Sequence, residues 1–244
     1  MTDSSEFDSN DAAIDADFYR GGGVSLSETE REILADAAGL NILVTPEGTG
    51  EEALSLVNLG ATVTVLGQDF GPAQMAAGES GLSVMFVSGD AGESLPDELA
   101  RGTFDVVYSP WGTFDGLPAF EAWATDISDL LKPGGYLMAF DEHPVSFMVK
   151  ATAGELIVQT SYWGEFVDED ADGEPDDDEF APTTFGWAIG DLVTALGNVG
   201  LATVRLEEFS EAGRYVSGIE LLEGIDEERR SRVPAALLLV ARRI

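Results

Sequence analysis

Apolar residues along this chain fall into short runs separated by polar, glycine-rich stretches, and the clearest run begins at Asn41. Ile42, Leu43 and Val44 form a continuous apolar run, Pro46 to Gly50 make a tight turn, and Ala53, Leu54, Leu56 and Val57 recur at helical spacing across Glu51 to Leu59. A second apolar run starts at Ala61. The pattern predicts a β-turn-α-β unit reaching to Asp69. Gly48 and Gly50 would let a ligand approach the backbone, and the helix behind them would aim its positive amino end at that ligand. An ordinary strand-to-helix turn is the competing reading.

Ahead of this unit, residues 1 to 17 are polar and acidic with little to bury, and are expected to be unstructured, with Phe18 and Tyr19 the first residues able to dock. Ser27 with Glu30 three residues on reads as a capping box, opening a helix through Ile33, Leu34 and Ala37 that ends near Gly39. Beyond the unit, the pattern predicts a short helix over 72–77, strands over 82–87, 104–108 and 136–140, and a helix over 118–131 stopped by Pro133, Gly134 and Gly135. Strands alternating with helices imply right-handed crossovers and a parallel sheet. The alternation then breaks. Residues 155–166 and 183–187 read as an inserted hairpin carrying an acidic loop, placing the insertion at about 150–186 within one domain that spans 18–244. A helix over 190–199 and strands over 201–209 and 235–242 complete the chain.

Charge changes the picture more than composition does. Of 244 residues, 44% are hydrophobic, enough for a sizeable core, yet 46 acidic residues stand against 12 basic ones, a formal charge of -34. A surface this acidic opposes nucleic acid and anionic membrane as partners, since both need basic faces. The acids are spread through the chain while the apolar strands stay intact, the pattern of a protein working in a very salty cytoplasm, where salt screens self-repulsion. There is no cysteine, so disulfides and thiol chemistry are absent. No run approaches the roughly 18 apolar residues of a membrane span, and the acidic N-terminus lacks a leader's apolar core, so a cytoplasmic location is expected.

The order of elements and several local words together resemble the class I S-adenosylmethionine-dependent methyltransferases, particularly small-molecule enzymes of the ubiquinone/menaquinone-biosynthesis type. The words are Glu47-Gly48-Thr49-Gly50, Leu59-Gly60-Ala61, Asp69-Phe70-Gly71-Pro72, Gly89-Asp90-Ala91, Phe104-Asp105-Val106-Val107-Tyr108 and Leu130-Leu131-Lys132-Pro133-Gly134-Gly135. The resemblance implies a Rossmann-like α/β fold with a seven-stranded, mostly parallel sheet, an antiparallel last strand and helices on both faces. It implies S-adenosylmethionine as cofactor, with Gly48 and Gly50 beneath its methionine half, Asp69 on the ribose hydroxyls, Asp90 and Ala91 beside the adenine, and Ser109 and Trp111 flanking the reacting methyl. The chain departs from the family at Val44, where an acid is usual, and at Pro46 and Glu47 in the turn; Gly67 occupies the simplest slot for the ribose acid.

Other residues carry weaker signals. His143, the only histidine, follows the fifth strand where open α/β sheets bind ligands, and could take a proton from an acceptor hydroxyl; pairing with Asp141 or Glu142 is the alternative. Trp111 and Trp163 are candidate walls of a small-molecule substrate pocket, whereas Trp123 lies on a helical core stripe. Asp168, Asp170, Asp172, Gly173 and Glu179 match a calcium-loop spacing, but Pro175 and the strand-like flanks oppose it, so no metal site is expected. Two functions remain open: methyl transfer to a small molecule, and a non-catalytic module in which the same sheet has lost the cofactor. The charge pattern itself generates a test. The melting temperature should rise between millimolar and molar KCl, and a midpoint that does not move would remove the salt-adapted reading.

Overall fold

The computed structural model describes residues 14–45, 50–92, 95–97, 99–114, 117, 119–163 and 186–244. Pro46, Glu47, Gly48 and the stretch from Asp168 to Glu179 lie outside the described residues, as does most of the acidic N-terminus.

Among the described residues the first element is helix α1 (Ala16–Arg20), earlier than the local acidity predicts. Asp15 is not a solvated acid but the cap of this helix, its carboxylate accepting from the backbone N–H groups of Asp17 and Phe18. Tyr19 is then buried, its hydroxyl donating to Ser25 Oγ at 2.9 Å, while Asn58 donates to the Tyr19 and Gly23 carbonyls. Helix α2 (Glu28–Leu34) carries the expected capping box, with both reciprocal bonds between Ser27 and Glu30 in place. It stops before Gly39 because the chain must turn there, and the Gly39 N–H is committed to the Gly60 carbonyl.

Strand β1 (Asn41–Val44), helix α3 (Glu51–Asn58) and strand β2 (Thr62–Gly67) form the central unit. Helix α4 (Gly71–Ser80), with proline in its first turn, leads to β3 (Val84–Ser88). Then come β4 (Phe104–Ser109), α5 (Phe120–Leu130) and β5 (Leu131–Glu142). Lys132 Nζ sits 2.9 Å from both oxygens of Asp105 and clamps the start of β5 to β4. Strands β6 (Val149–Thr152) and β7 (Glu155–Val158) form a separate hairpin. The hairpin lies within the expected insertion but pairs 149–152 with 155–158, where the pattern pairs 155–166 with 183–187; its turn is Ala153-Gly154, with φ of 52° and 78°, the left-handed pair that a tight hairpin uses. Helix α6 (Ile189–Asn198), β8 (Leu201–Phe209), helix α7 (Glu227–Arg230) and β9 (Ala236–Arg243) end the chain.

Among the described residues, seven strands make one sheet in the order β3-β2-β1-β4-β5-β9-β8. Only β9 runs against its neighbours, pairing antiparallel with both β5 and β8. One face, with Leu43, Val107, Leu137 and Leu239, packs on α5 and α6; the other, with Ile42, Val44, Val106, Tyr108 and Leu238, takes residues of α2 and α3. No helix among the described residues is long and apolar enough to cross a membrane.

Gly50 is the residue on which the entry to α3 turns. It holds φ at 79°, and a Cβ placed on it would lie 2.7 Å from the Ala73 Cβ on α4. Its lack of a side chain therefore serves the packing of α3 against α4. Gly50→Ala should destabilise the fold by about 1–3 kcal/mol, read from denaturant midpoints; an unchanged midpoint would show that the turn relaxes at no cost.

Candidate functional site

Strand order reverses between β1 and β4, and in an open α/β sheet the crevice beyond the carboxyl ends of such strands is where ligands bind. Val44 lies opposite Tyr108, and one residue further the Thr45 N–H donates to the Tyr108 carbonyl at 3.0 Å, bringing Thr45 alongside Ser109. Both side chains are buried, and neither hydroxyl has a hydrogen-bond partner among the described residues. A buried polar group left unpaired costs about 1–3 kcal/mol, and here two of them stand on adjacent strand ends. Val44 points the other way, into the core.

Beyond β2, Gly67 fills the strand's last position, and Asp69 follows two residues later, exposed. Its Oδ1 accepts from the Gly71 N–H at 2.9 Å at the start of α4, which fixes the carboxylate near the edge. Asp90 is half-buried beyond β3, Ala91 is buried beside it, and the Gly92 N–H is held by Asp126 at 2.9 Å. The structure thus sets Thr45, Gly50, Asp69, Asp90, Ala91 and Ser109 at or just past the carboxyl ends of β1 to β4.

Next to this edge lies a charged cluster that sequence reasoning missed. Arg214, from the segment between β8 and β9, reaches the wholly buried carboxylates of Glu30 on α2 and Glu52 on α3, with Glu51 3.7 Å away. Tyr108 donates to Glu30, and Tyr215 donates to Glu52 at 2.9 Å. Burial alone would raise the Glu30 carboxyl, but Arg214, Ser27 and Tyr108 outweigh it and hold it below the ordinary carboxylate range. Burial, reinforced by the negative groups around them, pushes both tyrosine hydroxyls far up, so they remain donors. A signal was present in the sequence: Glu30 shares a helical stripe with Ile33, Leu34 and Ala37, and Glu52 shares one with Leu56.

The loop after β4 is held from two sides. The buried Asp141 carboxylate accepts from the Gly112 and Phe114 N–H groups at 2.7 and 2.8 Å. On the opposite side the Trp111 ring stacks on Tyr215, with centroids 5.0 Å apart and planes 10° apart, and the Arg214 guanidinium lies over the Tyr215 ring, 4.3 Å from its centroid. Trp163 is placed differently, 75% exposed and edge-on to Tyr162, whose hydroxyl accepts from the Ile189 N–H at the start of α6.

His143 is buried, and its partner is neither Asp141 nor Glu142. Its Nε2 lies 2.8 Å from Glu208 Oε1, and its Nδ1 accepts from the Val145 N–H. The acceptor role of Nδ1 puts the proton on Nε2, donated to Glu208. Burial lowers the ring's pKa while Glu208 pulls it the other way. With both nitrogens engaged, the ring braces the end of β5 against β8.

Residues 47–139 match the family model described as a methyltransferase domain. The structure of an S-adenosylmethionine dependent methyltransferase from Mesorhizobium loti is similar, with a TM-score of 0.63 at 20% identity over 88% of this chain and 96% of that one. Geranyl diphosphate methyltransferase in complex with SAM gives 0.56 at 15% identity over 88% and 85% of the two chains. The cyclase SpnF gives 0.56 at 20% identity over 88% and 80%. No curated protein sequence matches the chain. The fold is the Rossmann-like methyltransferase fold. In this methyltransferase fold the matched segment runs from the turn before α3 to the middle of β5, and so includes the carboxyl ends of β2, β3 and β4.

The charged cluster yields a stability test. Arg214→Met should cost about 3–5 kcal/mol, because it leaves two buried carboxylates without their countercharge. Adding Glu30→Gln to it should cost less than the sum of the single changes, and strict additivity in denaturation would show that the two groups act independently.

Proposed function

We propose that this protein transfers a methyl group from S-adenosylmethionine to a small, neutral or apolar acceptor molecule in a salt-rich cytoplasm. The observation that carries the reading is the placement of the methyltransferase-matched segment on the switch point, where two buried hydroxyls, an exposed acid after β2 and a half-buried acid after β3 converge on one sheet edge. These residues fit an adenosyl amino acid. Asp69, anchored through one oxygen to the Gly71 N–H, would accept the ribose hydroxyls, while Asp90 and Ala91 would lie by the adenine. Ser109 would stand near the methionine half, and Trp111 would wall the acceptor.

When bound, S-adenosylmethionine supplies a methyl group on a sulfonium, already a good leaving group. The chain's contribution is then to position and to exclude water. Asp141 and the Trp111–Tyr215 stack fix the loop that would flank the reacting carbon, and a well-aligned approach can supply most of the acceleration without a strong base. His143, engaged at both nitrogens, would stabilise that edge and leave the acceptor's proton to water.

Calorimetric titration with S-adenosylmethionine in molar KCl tests the reading. The wild type should bind, and Asp69→Ala should weaken binding by about ten- to a hundredfold, the effect of losing charge-assisted hydrogen bonds worth roughly 1.5–3 kcal/mol. A wild type that does not bind would remove the enzyme reading, leaving a non-catalytic module on the same sheet. Binding that is indifferent to Asp69→Ala would instead displace the ribose assignment alone.

A further inference from the structure

A cavity of about 360 Å³ opens where the start of α2 meets the ends of β5 and β8, a volume toward the small end for ligand sites. Two aromatic rings line it, Phe140 from β5 and Phe209 from β8, with centroids 6.0 Å apart and planes at 52°. Phe140 is buried and Phe209 half-buried, and both belong to the apolar core on that side of the sheet. Three hydroxyls join them, from Ser27, Thr29 and Ser210, and Glu211 supplies the only charge in the lining among the described residues.

The sign of that charge decides what the cavity accepts. Glu211 forms no ion pair among the described residues. Arg214, which follows Gly213 on the rim, is turned to Glu30 and Glu52, and Arg205 on β8 is taken by Glu207 and Glu32. Glu211 also borders a second hollow of about 220 Å³, whose other charged residues are Glu220, Glu227 and Arg230, so acids prevail there too. An anion entering the larger cavity would lose its hydration with no countercharge to replace it. A cation instead meets a carboxylate and two aromatic rings, the combination that holds alkylated ammonium groups. We propose that the cavity is a binding site for a small alkylated ammonium ion, with Glu211 and the rings of Phe140 and Phe209 as its partners. The Phe140 ring also lies 6.0 Å from that of Trp111 and 5.9 Å from that of Tyr215, so one ring separates this site from the stack beside the loop after β4. The site goes beyond the methyl-transfer reading and does not depend on the donor.

The test titrates choline and its uncharged carbon isostere, 3,3-dimethyl-1-butanol, calorimetrically into the full chain in molar KCl, where potassium competes for the carboxylate throughout. The wild type should prefer choline by about tenfold. Glu211→Gln, at an exposed position, should lower choline affinity by about two- to fivefold and leave that of the alcohol unchanged. Phe209→Leu, which keeps apolar bulk but removes the π face, should weaken choline more than the alcohol. Ser210→Trp, also at an exposed position, should fill the cavity and abolish binding of both compounds while the unliganded protein melts as the wild type does. A wild type that takes both compounds equally, or takes neither, overturns the proposal. So does choline binding that Ser210→Trp or Glu211→Gln leaves unchanged, and these two exposed variants decide the matter even where Phe209→Leu fails to fold. No methyl donor enters the titration, so its outcome is read separately from that of S-adenosylmethionine.

Discussion

The arrangement of the carboxyl edge depends on the guanidinium of Arg214. Two carboxylates on different helices, Glu30 and Glu52, are wholly buried within reach of it, and a buried carboxylate left without a countercharge is costly. The same ion draws the segment after β8 across the sheet edge, and Tyr215, the next residue, is carried onto the Trp111 ring. A charge interaction thereby sets the position of an aromatic stack, and the stack sets one side of the loop after β4. Asp141 sets the other side through two backbone N–H groups. A loop clamped between an ion-anchored ring and a buried carboxylate is preorganised, which is what a reaction governed by alignment needs.

With 12 basic residues for 46 acidic ones, the place of each cation is informative. Some pairs are exposed on both sides, such as Arg101 with Asp129 and Arg232 with Glu228, and pairs of that kind contribute little. Lys132 clamps β5 to β4 through Asp105, and Arg205 ties β8 to α2 through Glu32. Arg214 alone among these cations is surrounded by fully buried carboxylates. The two buried glutamates receive the one cation placed between them, while buried Asp141 is met by backbone N–H groups instead.

What could be read from the sequence was local. The capping box at Ser27, the β1-α3-β2 unit and the succession of strands along the chain follow from residues close together in sequence, and the seven-stranded sheet with its antiparallel β9 followed from the resemblance. Misplaced boundaries have local causes too: Asp15 turned from solvent to a helix cap, and Ala153-Gly154 set an earlier hairpin turn. The Arg214 cluster joins residues 30, 52, 108 and 214, and no window of sequence holds them together. In an acid-rich chain, Glu30 and Glu52 look like two more surface carboxylates; only their places on apolar stripes set them apart. His143 shows the same limit, since its partner Glu208 lies on a strand two positions across the sheet.

Where the chain leaves polar groups unpaired bears on why the site lies where it does. Among the described residues, four buried side-chain polar atoms lack partners: Thr45 Oγ1, Ser109 Oγ, Trp187 Nε1 and Thr203 Oγ1. Two of the four stand on neighbouring strand ends where strand order reverses between β1 and β4. The rest of that edge is satisfied thoroughly, down to the Asp141 oxygens that receive two N–H groups and the Glu142 carboxylate that receives Ser217 and Gly218. A fold able to satisfy those neighbours had simple remedies for two hydroxyls, valine and alanine being close to isosteric and free of the penalty. Keeping them unpaired costs the protein stability that either replacement would return.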